Sequence, residues 1–183
     1  MPSHQVQQCS QFLAQQQLKI AFVESATAGR LAAEFSLTKD AGDILLGSLV
    51  CYDACIKQSL LKVPQELIDQ FTPESAEVTE AITKQLKAFF EADILVGVTG
   101  LASSGGSETA QKPVGTMFFH FLIRDQSYTH REVFKGTAEE AILQAIDRIA
   151  QLVQQYTTQQ LQPSDAQKSV YKSALKFNLK VVH

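Results

Sequence analysis

Two short runs of small and hydroxyl residues are where this 183-residue chain could do chemistry. The first, Val23-Glu24-Ser25-Ala26-Thr27-Ala28-Gly29-Arg30, ends an apolar alternation and opens a helical pattern, so it reads as a strand-to-helix turn. The first NH groups of a helix have no intrahelical partner and the helix dipole is positive there. An anion or a developing oxyanion is therefore stabilised at such a turn, with Ser25 at its mouth. The second run, from Val98-Thr99-Gly100 through Ser103-Ser104-Gly105-Gly106-Ser107, follows another apolar stretch and leads through Lys112-Pro113-Val114-Gly115-Thr116 into a third. Two such loops in one short domain predict one shared pocket. From the turn alone two readings stay open: Ser25 as a reactive hydroxyl, or Ser25, Thr27 or Glu24 as the cap of the following helix.

The elements that must position these loops alternate along the chain. Val6, Cys9, Phe12 and Leu13 recur at helical spacing, and Leu18, Ile20 and Phe22 then alternate as a strand running into the Ser25 turn. Leu31, Ala32 and Phe35 mark the next helix. The apolar run from Ile44 to Cys51 predicts a strand covered on both faces, ended by Tyr52. Ile56, Leu60 and Leu61 share a helical face, Val78, Ile82, Leu86 and Phe89 predict a longer helix starting near Pro73, and Ile94 to Val98 returns to strand. Met117 to Ile123 and Tyr128 to Phe134 read as strands joined by the hairpin-sized Arg124-Asp125-Gln126-Ser127, which makes this part of the sheet antiparallel. Ala141, Ile142, Ala145, Ile146, Ile149 and Val153 form the stripe of a closing helix. These elements sum to a single three-layer α/β/α domain with a mixed sheet.

At 45% apolar side chains the chain can bury one sizeable core. No apolar run approaches the roughly 20 residues of a membrane span. The polar, glutamine-rich start lacks a secretory pattern, so no membrane partner and a cytoplasmic location are expected. A net charge of −3 argues against a dedicated nucleic-acid binder, which needs clustered Lys and Arg. Cys9, Cys51 and Cys55 sit in apolar contexts and are expected as buried, reduced thiols. His120, between Phe119 and Phe121, reads as an ordinary sheet residue. Residues 159–183 form a basic tail in which Lys168, Lys172, Lys176 and Lys180 oppose Val170, Ala174, Phe177 and Val181 at helical spacing. Such a tail is either a docking or solvated helix, or a membrane- or partner-binding one.

Glu24-Ser25-x-Thr27-x-Gly29, Tyr52 with Lys57 five residues on, Val98-Thr99-Gly100 through Gly105-Gly106-Ser107, and Lys112-Pro113-Val114-Gly115-Thr116 occur in this order. Together they resemble the CinA C-terminal domain family, whose members are nicotinamide-nucleotide amidohydrolases. The resemblance covers about residues 5 to 157, so residues 1–158 are assigned as a CinA C-terminal-like domain. It implies hydrolysis of the carboxamide of nicotinamide mononucleotide to the carboxylate with release of ammonia, by a serine and lysine pair. It further implies no metal, no cofactor, and association with copies of the same chain.

Within that resemblance Ser25 is the nucleophile, Lys57 the base, and Tyr52 positions the lysine or the substrate ring. A serine hydroxyl needs a base near it, and a lysine desolvated in a pocket loses its charge readily enough to serve. Substrate contacts fall on Glu24, Ala26, Thr27, Gly29, Thr99, Gly100, Gly105, Gly106, Ser107 and Lys112. The oxyanion is expected at the NH groups around Ala26 and Thr27, and a phosphate at the glycine-rich backbone with the charge of Lys112. The loop lacks the GK[ST] ending of a nucleoside-triphosphate site. Plainer readings are a solvated lysine for Lys57, core packing for Tyr52, a simple turn at Gly105-Gly106 and an exposed charge at Lys112.

Three positions depart from the family's pattern. Ala28-Gly29 stands for a glycine pair, Ser103-Ser104 for Gly-Pro, and Thr137-Ala138 for Asp-Arg, which removes an arginine capable of bidentate phosphate binding. The alternatives are a hydrolase of a different amide, or a paralogue that keeps a nucleotide site without turnover.

Overall fold

All five residues of β1 (Ile20–Glu24) are buried, because the strand has a parallel neighbour on each side and helices above and below. In this computed structural model, which describes residues 1–161, the sheet runs β2-β1-β3-β4-β5. The strands β2 (Leu45–Val50) and β3 (Ile94–Gly100) lie parallel to β1, while β4 (Thr116–Ile123) pairs antiparallel with β3 and with β5 (Gln126–Val133). The mixed sheet expected from the sequence is what forms.

The two-residue period of the strands divides the core. Ile20, Phe22, Val96, Val98, Phe119 and Phe121 pack beneath α1 (His4–Gln15), α2 (Arg30–Ser36), the short α3 (Ala41–Ile44) and α7 (Ala138–Leu161). On the opposite face Ala21, Val23, Leu95 and Leu122 meet Ile68 of α5 (Gln65–Phe71) and Val78 and Ile82 of α6 (Ala76–Gln85). This is the three-layer arrangement. Between β2 and α5 the chain makes α4 (Ala54–Ser59), and a 3-10 turn at Leu86–Ala88 follows α6.

Some local expectations need correction. β2 is an edge strand with one neighbour, so Leu46 and Val50 are exposed and the strand is not covered on both faces. The hairpin turn is two residues, Arg124-Asp125, with Ile123 opposite Gln126. The longer helix starts at Ala76, where the Ser75 hydroxyl accepts from the Val78 NH at 3.2 Å, rather than near Pro73. Cys9 and Cys51 are buried free thiols, but Cys55 is exposed in the first turn of α4. His120 is a buried sheet residue bonded to Thr129 Oγ1 at 3.1 Å. The closing helix continues through residue 158 to Leu161, and the helix expected over Val170 to Val181 lies outside the described residues. No described helix is long and apolar enough to cross a membrane.

Candidate active site

Glu24, the last residue of β1, is fully buried, and its carboxylate organises the turn from below. Oε2 accepts from Thr27 Oγ1 at 2.7 Å, from the Gly29 NH at 2.9 Å and from the Leu31 NH at 3.0 Å. Oε1 accepts from the Ala32 NH at 3.0 Å and from Ser48 Oγ at 2.8 Å. The start of α2 is therefore capped by the protein's own anion, and of the capping candidates in the turn it is Glu24 that serves. The Glu24 carboxylate, the Thr27 hydroxyl and the Gly29 NH are thus bonded to one another within the turn, while the Thr27 NH is not part of this network. Ala28 (φ +47°) and Gly29 (φ +95°) follow each other in left-handed conformations, which costs about 1–2 kcal/mol at the alanine and little at the glycine.

Ser25 is thereby free for other work. Its NH donates to Val98 O at 3.0 Å, which fixes the backbone at the ends of β1 and β3. Its Oγ accepts from Lys57 Nζ at 3.0 Å. Lys57 extends from α4, whose cap Asp53 accepts from the Cys55 NH at 2.8 Å, and is only 1% exposed, not solvated. Its other two donors go to Cys51 O at 2.9 Å and Tyr52 O at 3.2 Å. Burial pushes the Lys57 ammonium below the ordinary lysine range, against smaller opposing pulls from Cys51, Glu74 and Asp53. Once neutral, the amine keeps two N–H groups for the two carbonyls and turns its lone pair toward Ser25. Tyr52 is not core: it is 68% exposed and stands at the cleft beside this pair.

The cleft over Ser25 holds about 220 Å³. It is lined by Ser25, Ala26, Tyr52 and Glu74 and by the chain from Gly100 to Gly106. Among the described residues the NH groups of Ala26 and Thr27 donate to no protein acceptor, so two donors remain beside Ser25 Oγ. Gly100 allows its wall to close, because a Cβ there would press on Met117 Sδ and lie 2.6 Å from Thr116 O. Thr99 does not reach the cleft: it is fully buried, with its hydroxyl 2.8 Å from Thr79 Oγ1 of α6.

Ser107 and Lys112 meet in a clasp on residues that carried no sequence signal. Lys112 Nζ donates to Thr72 Oγ1 at 2.6 Å, Ser107 Oγ at 2.7 Å and Glu74 O at 2.9 Å. Ser107 Oγ in turn donates to Glu74 Oε2 at 2.5 Å. All three Lys112 donors are used inside the protein, at the residue where the sequence reading expects a phosphate contact. Thr72 sits at φ +69° after α5, a conformation that costs a β-branched residue about 1–3 kcal/mol, and the clasp helps to hold it. Glu74 and Thr72 lie between two helices in a Thr-Pro-Glu-Ser stretch that reads only as a loop and a cap. Among the described residues no three His, Cys, Asp or Glu side chains gather as a metal site.

The same fold occurs in solved structures. The competence damage-inducible protein A of Klebsiella pneumoniae superposes with a TM-score of 0.78 over 86% of this chain and 98% of its own, at 24% identity. A competence-damaged protein superfamily member from Escherichia coli gives 0.74 over 81% and 87%, at 25% identity. By sequence, a CinA-like protein of Petrotoga mobilis is 38% identical over 122 residues, 66% of this chain and 30% of its own length. A putative competence-damage inducible protein of Moorella thermoacetica is 33% identical over 127 residues, 69% and 30%. The chain thus spans about 30% of the length of these curated relatives. The family model described as CinA C-terminal domain matches residues 3–157, which takes in every residue of the cleft, the buried lysine and the clasp. On that match, this chain belongs to the CinA C-terminal domain family.

Proposed function

We propose that the chain is a serine amidohydrolase that cleaves the carboxamide of an N-ribosylated nicotinamide, nicotinamide mononucleotide being the member of that class implied by the family resemblance. The observation that carries this reading is the 3.0 Å approach of the buried Lys57 Nζ to Ser25 Oγ, with both remaining lysine donors tied to main-chain carbonyls.

Neutral Lys57 takes the proton of Ser25 as Oγ attacks the amide carbon. The carbonyl oxygen becomes an oxyanion beside the Ala26 and Thr27 NH groups, and loss of one such donor typically raises the barrier by about 3 kcal/mol. Lys57 then passes its proton to the departing nitrogen, which leaves as ammonia. Water, deprotonated by the same amine, attacks the acyl-enzyme, releases the carboxylate and restores Ser25.

The test is ammonia release from nicotinamide mononucleotide by wild type, Ser25→Ala and Lys57→Ala, with and without chelator. Chelator-insensitive release lost in both variants supports the reading, and release that persists in Ser25→Ala overturns it. A second reading, a ligand-binding module without turnover, is favoured by the three acceptors around Lys57, which also suit a permanently charged ammonium. Binding of the nucleotide with no ammonia from wild type selects it.

A further inference from the structure

The cleft over Ser25 is rich in donors. The Ala26, Thr27 and Gly106 NH groups and the Ser103 and Ser104 hydroxyls donate to no protein acceptor among the described residues, and they suit the oxygens of a substrate. A carboxamide brings one oxygen and an NH2 group with two N–H donors, so its nitrogen needs an acceptor. Hydroxyls serve an amide nitrogen and a carboxylate oxygen alike, because they donate or accept by rotating. An ionised carboxylate only accepts, so it tells the two apart.

Glu74 is the charged side chain that lines this cleft. Its carboxylate is braced at one oxygen: Ser107 Oγ donates to Oε2 at 2.5 Å, while the Lys112 ammonium donates to the Glu74 carbonyl at 2.9 Å and to Ser107 Oγ at 2.7 Å. Oε1 has no hydrogen-bond or ion-pair partner among the described residues. The carboxylate lies near enough to the reacting pair for its charge to act on Lys57, which itself donates to Ser25 Oγ at 3.0 Å. One acceptor-only oxygen, on a braced side chain, is therefore available in the cleft where Ser25 meets the amide carbon.

Resting on the amidohydrolase reading, the geometry points to Glu74 Oε1 as the acceptor for the carboxamide N–H, and hence to Glu74 as the residue that selects the amide substrate over its own carboxylate product. While Ser25 Oγ bonds to the amide carbon and Lys57 takes its proton, the carbonyl oxygen faces the Ala26 and Thr27 NH groups and one N–H faces Glu74. When Lys57 hands that proton to the nitrogen, the leaving group gathers positive charge, which a neighbouring carboxylate stabilises until the C–N bond breaks and ammonia departs. After hydrolysis of the acyl-enzyme an oxygen stands where the nitrogen stood, and it brings negative charge against Glu74 with no proton between them. The product is therefore held less tightly than the substrate. Glu74 itself moves no proton.

The experiment uses nicotinamide mononucleotide, nicotinate mononucleotide and the methyl ester of the latter's ring carboxyl. Calorimetry in a Ser25→Ala background, with and without Glu74→Gln, compares amide with acid. The amide should bind at least about tenfold more tightly where Glu74 is present, and the preference should collapse in Glu74→Gln, whose side chain offers a donor as well as an acceptor. Turnover supplies the second measurement: the ratio of kcat/KM for amide to that for ester should fall at least about tenfold from wild type to Glu74→Leu, because an ester brings no N–H, whereas a merely structural loss lowers both alike. Equal binding of amide and acid, a preference indifferent to Glu74→Gln, or an amide-to-ester ratio unchanged in Glu74→Leu overturns the proposal and leaves the amidohydrolase reading standing. If wild type releases neither ammonia nor methanol, that reading fails and the affinities decide: a Glu74-dependent preference for the amide supports the proposal, and equal binding, tighter acid binding or no binding overturns it.

Discussion

Lys57 Nζ and Ser25 Oγ, 32 positions apart in the chain, meet at 3.0 Å beneath the cleft. Their meeting depends on β1 and β2 lying side by side, since Cys51, just past β2, donates its NH to Glu24 O at 2.8 Å and lends its own carbonyl to the lysine. Replacement of Lys57 by Met keeps much of the buried aliphatic stem and removes the amine. Ammonia release should fall by about 10²- to 10⁴-fold with the protein still folded, as judged by circular dichroism. Ser25→Ala should lose at least as much.

The lowered pKa of Lys57 sets a pH profile. Below it the amine is an ammonium without a lone pair, so kcat/KM should rise with pH through that value and level off above it. Stability follows the same proton. The unfolded lysine holds its proton to higher pH than the folded one, so between the two values the unfolded state binds more protons and stability rises with pH. Denaturant titrations across that window should show the rise in wild type and a smaller one in Lys57→Met.

Glu24 should matter for folding more than for substrate. Glu24→Gln replaces one oxygen with an amide that faces NH or OH donors, leaving them unsatisfied at a cost of about 1–3 kcal/mol. Chemical denaturation measures the loss, and the variant that still folds should keep Ser25 reactive. An unchanged unfolding midpoint would contradict the scaffolding role.

The clasp predicts a local effect. Lys112→Met removes three hydrogen bonds that tie the exposed loop to Thr72, Glu74 and Ser107. Limited proteolysis should then cut between Ser103 and Gly106 faster than in wild type, with KM raised more than kcat is lowered.

Gly100→Ala tests the cleft lining at the end of β3. The added methyl meets Met117 Sδ and Thr116 O, and overpacking of this kind costs about 1–3 kcal/mol. The thermal midpoint should drop, and substrate affinity should drop with it.

The layers and the mixed sheet were legible because strand and helix periods differ and each apolar set faces a core. The 7-residue β3 and the stripe of α7 stand where the pattern puts them. Burial of β2 was not legible, since Leu46 and Val50 look the same in the sequence whether or not a further strand covers them. The Ser25 turn could be found from residue types, but the direction of the Glu24 carboxylate could not: a strand end can turn an acidic side chain to solvent or beneath the next helix. Lys57 was singled out only by the family resemblance, since a lysine in a helical stretch reads by itself as solvated, and its burial is visible only in the fold. Thr72 and Glu74 were missed because their roles come from a loop some 35 to 40 residues downstream folding back on them.

The five bonds to the Glu24 carboxylate also bear on how the molecule receives a guest. A bend held from within by its own counter-charge has its shape before anything arrives, so residues 24–32 should superpose closely between empty and occupied forms. Among the described residues, the exposed chain from Ser103 to Gly106 has no buried carboxylate beneath it, so any adjustment to the guest is expected there rather than in the turn.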